Sequence, residues 1–270
     1  MFLVTGSNGN LALRDELVLG RRELSVRFLA LPPRTLKAGE PLASVGASNV
    51  IYHLVAGWAC QSRSFSDGHQ AIVDIYLPGD VIGFDAVLQT RPLKEVMALT
   101  SIVIELIESE NALTELMSSR HIALYIAWLL GRRQRRTDRL VATISSLDAR
   151  GRLATMLLDF YTRLNRQKLI TGPTFALPLT QIQIGAYLGL TVAHVNRVLR
   201  SFRDERIVNL EKHCVTILDL EGLTRLAQSG PIVGSTAGLD QRLVDEPISR
   251  NSQPNRIRVI SGQPDLRRGL

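Results

Sequence analysis

LTQIQIGAYLGLTVAHVNRVLRSFRDERI, residues 179–207, sets the fold of this chain. Two short helical patterns flank one tight break. In the first, Ile182, Ile184 and Leu188 supply the apolar positions, and Ala186 is small enough to lie under a neighbouring helix. Gly189 ends that helix, because glycine accepts the left-handed conformation of a C-terminal turn. Thr191 follows as N-cap. Val195, Val198, Leu199 and Phe202 then recur at helical spacing. The opposite face carries His194, Asn196, Arg197, Arg200 and Arg203. The pattern predicts a helix-turn-helix, with one face bracing the pair and one basic face open to a major groove.

Two packed amphipathic helices with solvated charges would be the plainer reading. Three features favour the first. The Gly–x–Thr turn has the right length. Arginine dominates the outer face, and guanidinium groups suit phosphate and guanine. A wing-like hairpin follows, with 208–210 and 215–218 as short strands around Glu211-Lys212-His213. The residues placed to meet DNA are Thr180, Thr191, Val192, Ala193, His194, Asn196, Arg197 and Arg200.

The whole chain has 270 residues, enough for two domains, and a formal net charge of +7 with a pI near 9.9. That balance favours an anionic partner, and beside the helix-turn-helix the partner is double-stranded DNA before a membrane. No apolar run is long enough to span a bilayer, and the N-terminus lacks a basic-then-apolar signal pattern. Cys60 and Cys214 are the two cysteines, too few for a disulfide framework or a metal quartet. The expectation is a soluble cytoplasmic protein with no bound metal or cofactor.

Upstream, residues 1–20 are mixed, with a short helix expected over 11–18. Leu24-Ser25-Val26-Arg27-Phe28-Leu29 reads as the start of a strand-like region, cut by Pro32 and Pro33. From 39 to 107, apolar runs at 51–55, 71–77 and 95–107 alternate with turns at Gly57, Asp67-Gly68, Pro78-Gly79 and Gly83. This predicts a small antiparallel roll or barrel. Residues 111–144 contain no proline and read as one long helix. Its apolar surface (Leu113, Leu116, Met117, Ile122, Leu124, Ile126, Leu129, Leu130) is broader than one stripe, so a second copy of the chain is expected against it. The basic run Arg132-Arg133-Gln134-Arg135-Arg136, with Arg139 beyond, reads chiefly as a solvated face, with a hinge or a remote DNA backbone contact as the alternatives. A further helix at 147–164 buries Leu153, Met156, Leu157, Phe160 and Leu164. Gly172-Pro173 breaks the chain before the winged motif, and the Gly- and Pro-rich tail is expected to lack a core. The fold class is thus α+β. Its parts are a roll with an N-terminal helix at 1–108, a dimerisation helix at 109–145, a winged helix-turn-helix at 146–227 and a disordered tail at 228–270.

These residues resemble the Crp–Fnr family of bacterial transcription regulators. Tyr76-Leu77-Pro78-Gly79-Asp80-Val81-Ile82-Gly83 is similar to the family's strand–turn–strand signature in its sensory roll. Asp148-Ala149-Arg150-Gly151-Arg152-Leu153-Ala154 resembles the start of the helix that opens the DNA-binding domain, and His194-Val195-Asn196-Arg197 its recognition helix. The resemblance runs from about residue 25 to 227. It implies a cyclic-nucleotide-binding-like roll, a homodimer on a near-palindromic promoter site, and RNA polymerase as a further partner. It also implies that Arg197 reads a guanine in each half-site. Asn196 would pair with adenine or phosphate, and Arg200 and Arg203, further along, would meet phosphate or simply water.

The sensory residues depart from the cyclic-nucleotide binders. Those carry a Gly–Glu pair, which holds the ribose, after the Pro-Gly-Asp turn, where this chain has Phe84 after Gly83. They carry an Arg–Ser/Thr pair, which holds the phosphate, before the next strand, where this chain has Pro92-Leu93 with Arg91 one place off. An anionic cyclic phosphate needs a fixed charged donor, so cyclic-nucleotide dependence is not expected. Iron–sulfur members use several N-terminal cysteines, and none precedes Cys60 here. His53 and His69 read as structural rather than as haem ligands, and Cys60 as a buried thiol. Many members have Glu where this chain has Ala193, so recognition at one base is expected to differ.

The alternatives are a ligand-binding regulatory subunit, a cyclic-nucleotide-responsive regulator, and a metal-dependent enzyme on the roll. Five scattered histidines, two of them in the winged region, do not make the clustered ligands an enzyme of that kind needs. No catalytic residue is assigned, and the chain is read as a non-enzyme.

Overall fold

The computed structural model describes residues 8–45, 50–66, 68, 70–88, 95–108 and 112–228. Arg91, Pro92, Leu93, His69, Asn111 and the tail from residue 229 on lie outside the described residues.

The chain opens with α1 (Asn8–Phe28), which replaces the expected short helix and the strand-like start after it. Leu24, Val26 and Phe28 alternate as a strand would, but Leu17, Leu24 and Phe28 share one helical face and are buried, while Val26 stays exposed. Tertiary burial decides between the two periods.

The roll follows. It comprises β1 (Arg34–Leu36), a 3₁₀ turn (Leu42–Val45), β2 (Val50–Ala56), β3 (Ala59–Ser64), β4 (Gln70–Tyr76), β5 (Val81–Ile82), α2 (Phe84–Leu88), β6 (Val96–Ala98) and β7 (Ile102–Glu108). The strands pair antiparallel in two sheets, ordered β1-β7-β2-β5 and β4-β3-β6. The apolar run at 95–107 is therefore two strands in different sheets. The corner is held where Thr100 Oγ1 accepts from the Trp58 backbone N–H at 3.0 Å and Leu99 N–H donates to the Trp58 carbonyl at 2.8 Å. Tyr52, Leu54, Tyr76, Ile82, Ile104 and Leu106 fill the interior.

The long helix is interrupted. α3 (Ala112–Met117) ends before Ser118-Ser119, and α4 (Arg120–Ser146) begins with Ser119 as N-cap, its hydroxyl accepting from Ile122 N–H at 3.3 Å. Serine hydroxyls can take over orphan backbone groups, so a helix can end without proline or glycine. The apolar breadth of α4 also has a partner within the chain. Ile122, Tyr125 and Ile126 pack with Leu17, Leu24 and Phe28 of α1. Gly20 lies against the backbone of His121, so close that a β-carbon there would collide with the His121 carbonyl.

The second half consists of α5 (Ala149–Arg166), β8 (Thr174–Ala176), α6 (Gln181–Leu188), α7 (Val192–Asp204), β9 (Val208–Glu211), β10 (Cys214–Ile217) and α8 (Leu220–Gln228). A three-stranded sheet, β8-β10-β9, forms the wing, and its strand β8 went unread in the sequence. Lys212 and His213 both take positive φ, 47° and 61°, as a two-residue hairpin turn of the mirror-image type requires. The two halves share apolar packing. Trp58, Ile72, Ile75 and Leu77 of the roll join Leu157, Phe160 and Leu164 of α5 in one cluster, with Trp58 edge-on to Phe160 at 5.2 Å. Among the described residues, no helix is long and apolar enough to cross a membrane.

Candidate nucleic-acid interface

Local chemistry fixes both helices of the motif. Thr180 caps α6 reciprocally: its hydroxyl accepts from Gln183 N–H at 3.2 Å while Gln183 Oε1 accepts from Thr180 N–H at 2.8 Å. Gly189 ends α6 with φ 65° in the left-handed region. Thr191 caps α7, accepting from His194 N–H at 3.3 Å, and its hydroxyl lies 3.1 Å from His194 Nδ1. The tight approach inside the motif is at Gly185, where a β-carbon would strike the Leu190 carbonyl, and Ala186 packs half-buried against the same core. Ile182 also departs from the reading as a bracing residue, being 70% exposed while Ile184 and Leu188 are buried. Ile184, Gly185 and Leu188 make the buried side of α6, so the face that packs is narrower than the apolar count suggested.

α7 divides as its spacing requires. Val195, Val198 and Phe202 are buried. Thr191, Val192, Ala193, His194, Asn196, Arg197 and Arg200 are exposed, as is Thr180 at the start of α6. All eight are therefore open to solvent at the two helix starts and along α7. Guanidinium and amide groups projecting from a helix of this kind can donate to guanine O6 and N7, pair with adenine, or meet phosphate.

Residues 151–226 match the Crp-like helix-turn-helix domain family, and residues 33–119 match the cyclic nucleotide-binding domain family. Over 193 residues the chain is 30% identical to the fumarate and nitrate reduction regulatory protein of Vibrio cholerae, an alignment covering 71% of this chain and 74% of that one. The chain belongs to the Crp–Fnr family. It is a DNA-binding transcription regulator of that type. It is also 29% identical over 164 residues to the transcriptional regulatory protein btr of Bordetella pertussis, covering 60% of this chain and 66% of that one. Among solved structures, FixK2 from Bradyrhizobium japonicum has the same fold, with a TM-score of 0.63 at 22% identity over 72% of this chain and 96% of that one.

At the family's sensory signature, Gly83 has φ 106° and Phe84 is buried with Leu17, Leu24 and Phe28 of α1 and Ile126 of α4. The side chain at the ribose position thus belongs to an apolar cluster. Cys60 is buried, and burial pushes its thiol up to about 11. His53 is buried beside Glu105, with Nδ1 3.1 Å from Oε2. His121 faces α1, with Nδ1 2.8 Å from Glu23 and Nε2 3.4 Å from Glu16. Among the described residues, no three His, Cys, Asp or Glu side chains gather as a metal would need.

The sequence reading of the basic run needs correction. Arg133 and Arg136 are not a solvated face; they enter a ladder of alternating charges between roll, α4 and α5. Arg133 Nε lies 3.3 Å from Asp74, and its Nη2 donates to Gln61 Oε1 at 2.7 Å. Arg136 lies 3.7 Å from Asp74 and 3.1 Å from Asp80. Arg163 of α5 completes the ladder on Asp80 and reaches Asp159 at 3.5 Å. Burial alone would raise the Asp80 pKa, but Arg163 and Arg136 outweigh it and hold the carboxyl well below its ordinary value. For Asp74 burial wins over the same arginines, and its pKa is raised.

A second group went unread. Arg150, at the start of α5, grips Glu205 at the end of α7. Its partners lie more than fifty positions apart, so no local pattern announces them.

Proposed function

We propose that the chain works as a homodimer that reads a near-palindromic promoter site, one α7 in each of two successive major grooves. The observation that carries this reading is the outward surface of α7, where Asn196, Arg197 and Arg200 stand exposed over a buried Val195, Val198 and Phe202. A twofold axis would repeat that surface about one helical turn away, ~34 Å. Val141, 58% exposed on α4, supports a second copy lying along the later turns of that helix. Arg197 reads guanine, Asn196 adenine or phosphate, and Arg200 phosphate. RNA polymerase is the further partner, and the cytoplasm the place of action.

Binding does not require a cyclic nucleotide. Phe84 within the α1 cluster supports this, since an apolar ring there offers nothing to a ribose. A cyclic-nucleotide-responsive regulator is the second reading, favoured by the match of residues 33–119. The test is selection of bound duplexes from a random pool by the purified protein without added nucleotide, followed by sedimentation of the selected complex. Inverted half-sites with two protomers per duplex are expected. Direct repeats, one protomer per duplex, or no selected sequence would contradict the proposal.

A further inference from the structure

We propose that Arg150 is a positioning residue for the reading helix: without touching DNA, it fixes the C-terminal end of α7 to α5 and so sets which base edges Arg197 meets. The inference rests on the reading of α7 as the helix that enters the groove.

The geometry is specific. Arg150 Nη1 and Nη2 donate to Glu205 Oε1 and Oε2, each at 2.6 Å. Such a paired contact fixes direction as well as distance. Ser201 Oγ donates to Glu205 Oε1 at 2.6 Å and itself accepts from Arg150 Nη1. The guanidinium also stands 5.5 Å over the ring of Phe202, which is fully buried. One side chain thus engages Ser201, Phe202 and Glu205, the whole last turn of α7. The hydrogen bonds from Arg150 and Ser201 hold the Glu205 carboxyl down at about 2, so the bracket is charged through the neutral range.

Both Nη groups of Arg150 are engaged by protein side chains of α7 and its C-cap. The opposite end of α7 is set by the Thr191 cap and the tight turn, so the helix is held at two points. Arg197 lies six residues beyond Thr191, ~9 Å along the axis. Freeing the far end and swinging the helix by ~10° would move that position by ~1.5 Å. A hydrogen bond to a base edge tolerates a window of only ~0.5 Å. Lysine cannot replace the grip, because a point charge has no fork.

The experiment compares the full chain with Arg150→Lys, Glu205→Gln and the exchanged pair R150E/E205R, each selecting from the same random duplex pool. Three quantities are read: base preference at the position Arg197 governs, the slope of affinity against salt, and the thermal midpoint. The single variants should lose preference at that base by about fivefold or more, keep the parent's salt slope, and melt lower. The exchanged pair should regain preference. A lower midpoint with unchanged preference would reduce Arg150 to a stabilising contact and overturn the proposal. A salt slope smaller by about one would make it a phosphate ligand and overturn it equally. Should the parent itself select no sequence, the reading of α7 fails and the inference with it. Should Arg150→Lys unfold, Glu205→Gln, which keeps the arginine and an amide acceptor, carries the same comparison.

Discussion

Asp80, in the turn that carries the roll's family signature, meets Arg163 of α5 at 2.5 Å. This places the turn before β5 in direct contact with the first helix of the DNA-binding half. Asp80 also accepts from Leu77 N–H at 2.9 Å, closing its own turn, and from Arg136 at 3.1 Å. Three parts of the fold therefore share one carboxylate.

Asp80→Asn should lower stability by about 1–3 kcal/mol in chemical denaturation, since it removes the nearest carboxylate from two mostly buried guanidinium groups and leaves Arg136 with Asp74 and Arg163 with Asp159. Asp74→Asn should cost less, because burial already pushes Asp74 toward its neutral form. The pH dependence follows from the signs. A carboxyl held below its unfolded value stabilises above that value, ~3.9, and the contribution is lost as pH falls through its folded value. The gap between parent and Asp80→Asn should therefore be full at pH 6 and shrink steadily below about pH 4. A gap independent of pH would show that Asp80 acts through shape alone.

Gly185→Ala should destabilise the winged domain by about 1–3 kcal/mol, because its β-carbon would strike the Leu190 carbonyl in the turn between α6 and α7. DNA affinity should fall with it. An unchanged thermal midpoint would mean that the turn can open without cost.

Most of the helix-turn-helix was legible because its signals are local. Thr180, Gly189 and Thr191 act within four residues of themselves, and α7 buries Val195, Val198 and Phe202 as their spacing requires. The roll was legible from its turns, while strand ends were not: the run at 95–107 changes sheets where Thr100 meets Trp58, a contact 42 residues distant. α1 was misread past Leu24 for the same reason, since what keeps 24–28 helical is α4. The charge ladder was illegible in principle. Arg133 and Arg136 differ from Arg132 and Arg135 only in their azimuth toward Asp74 and Asp80, and that requires the packed roll.

Dimerisation can be separated from intrachain packing on α4. Leu129 and Leu130 pack against the cluster shared with α1, whereas Val141 is exposed. Val141→Glu should weaken the dimer in sedimentation while leaving the thermal midpoint of the monomeric fraction unchanged. Leu129→Glu should lower both, because it puts a charge into the half-buried flank of the α1 cluster. A dimer indifferent to both variants would put the seam elsewhere.

Calorimetry with cyclic AMP and cyclic GMP at micromolar concentrations should show no binding, given Phe84 at the ribose position. A stoichiometric heat would contradict this and direct attention to Arg91 as the phosphate ligand.

The central claim is that α7 reads sequence through Arg197. The direct measurement is a salt titration of binding to the selected duplex and to its guanine-substituted variants, for the parent, Arg197→Ala and Arg200→Ala. Arg197→Ala should lose about 1–3 kcal/mol of discrimination at one guanine per half-site with little change in salt slope. Arg200→Ala should weaken all duplexes alike and reduce the slope by about one. An Arg197→Ala protein that binds the selected duplex as tightly and as selectively as the parent would contradict the account.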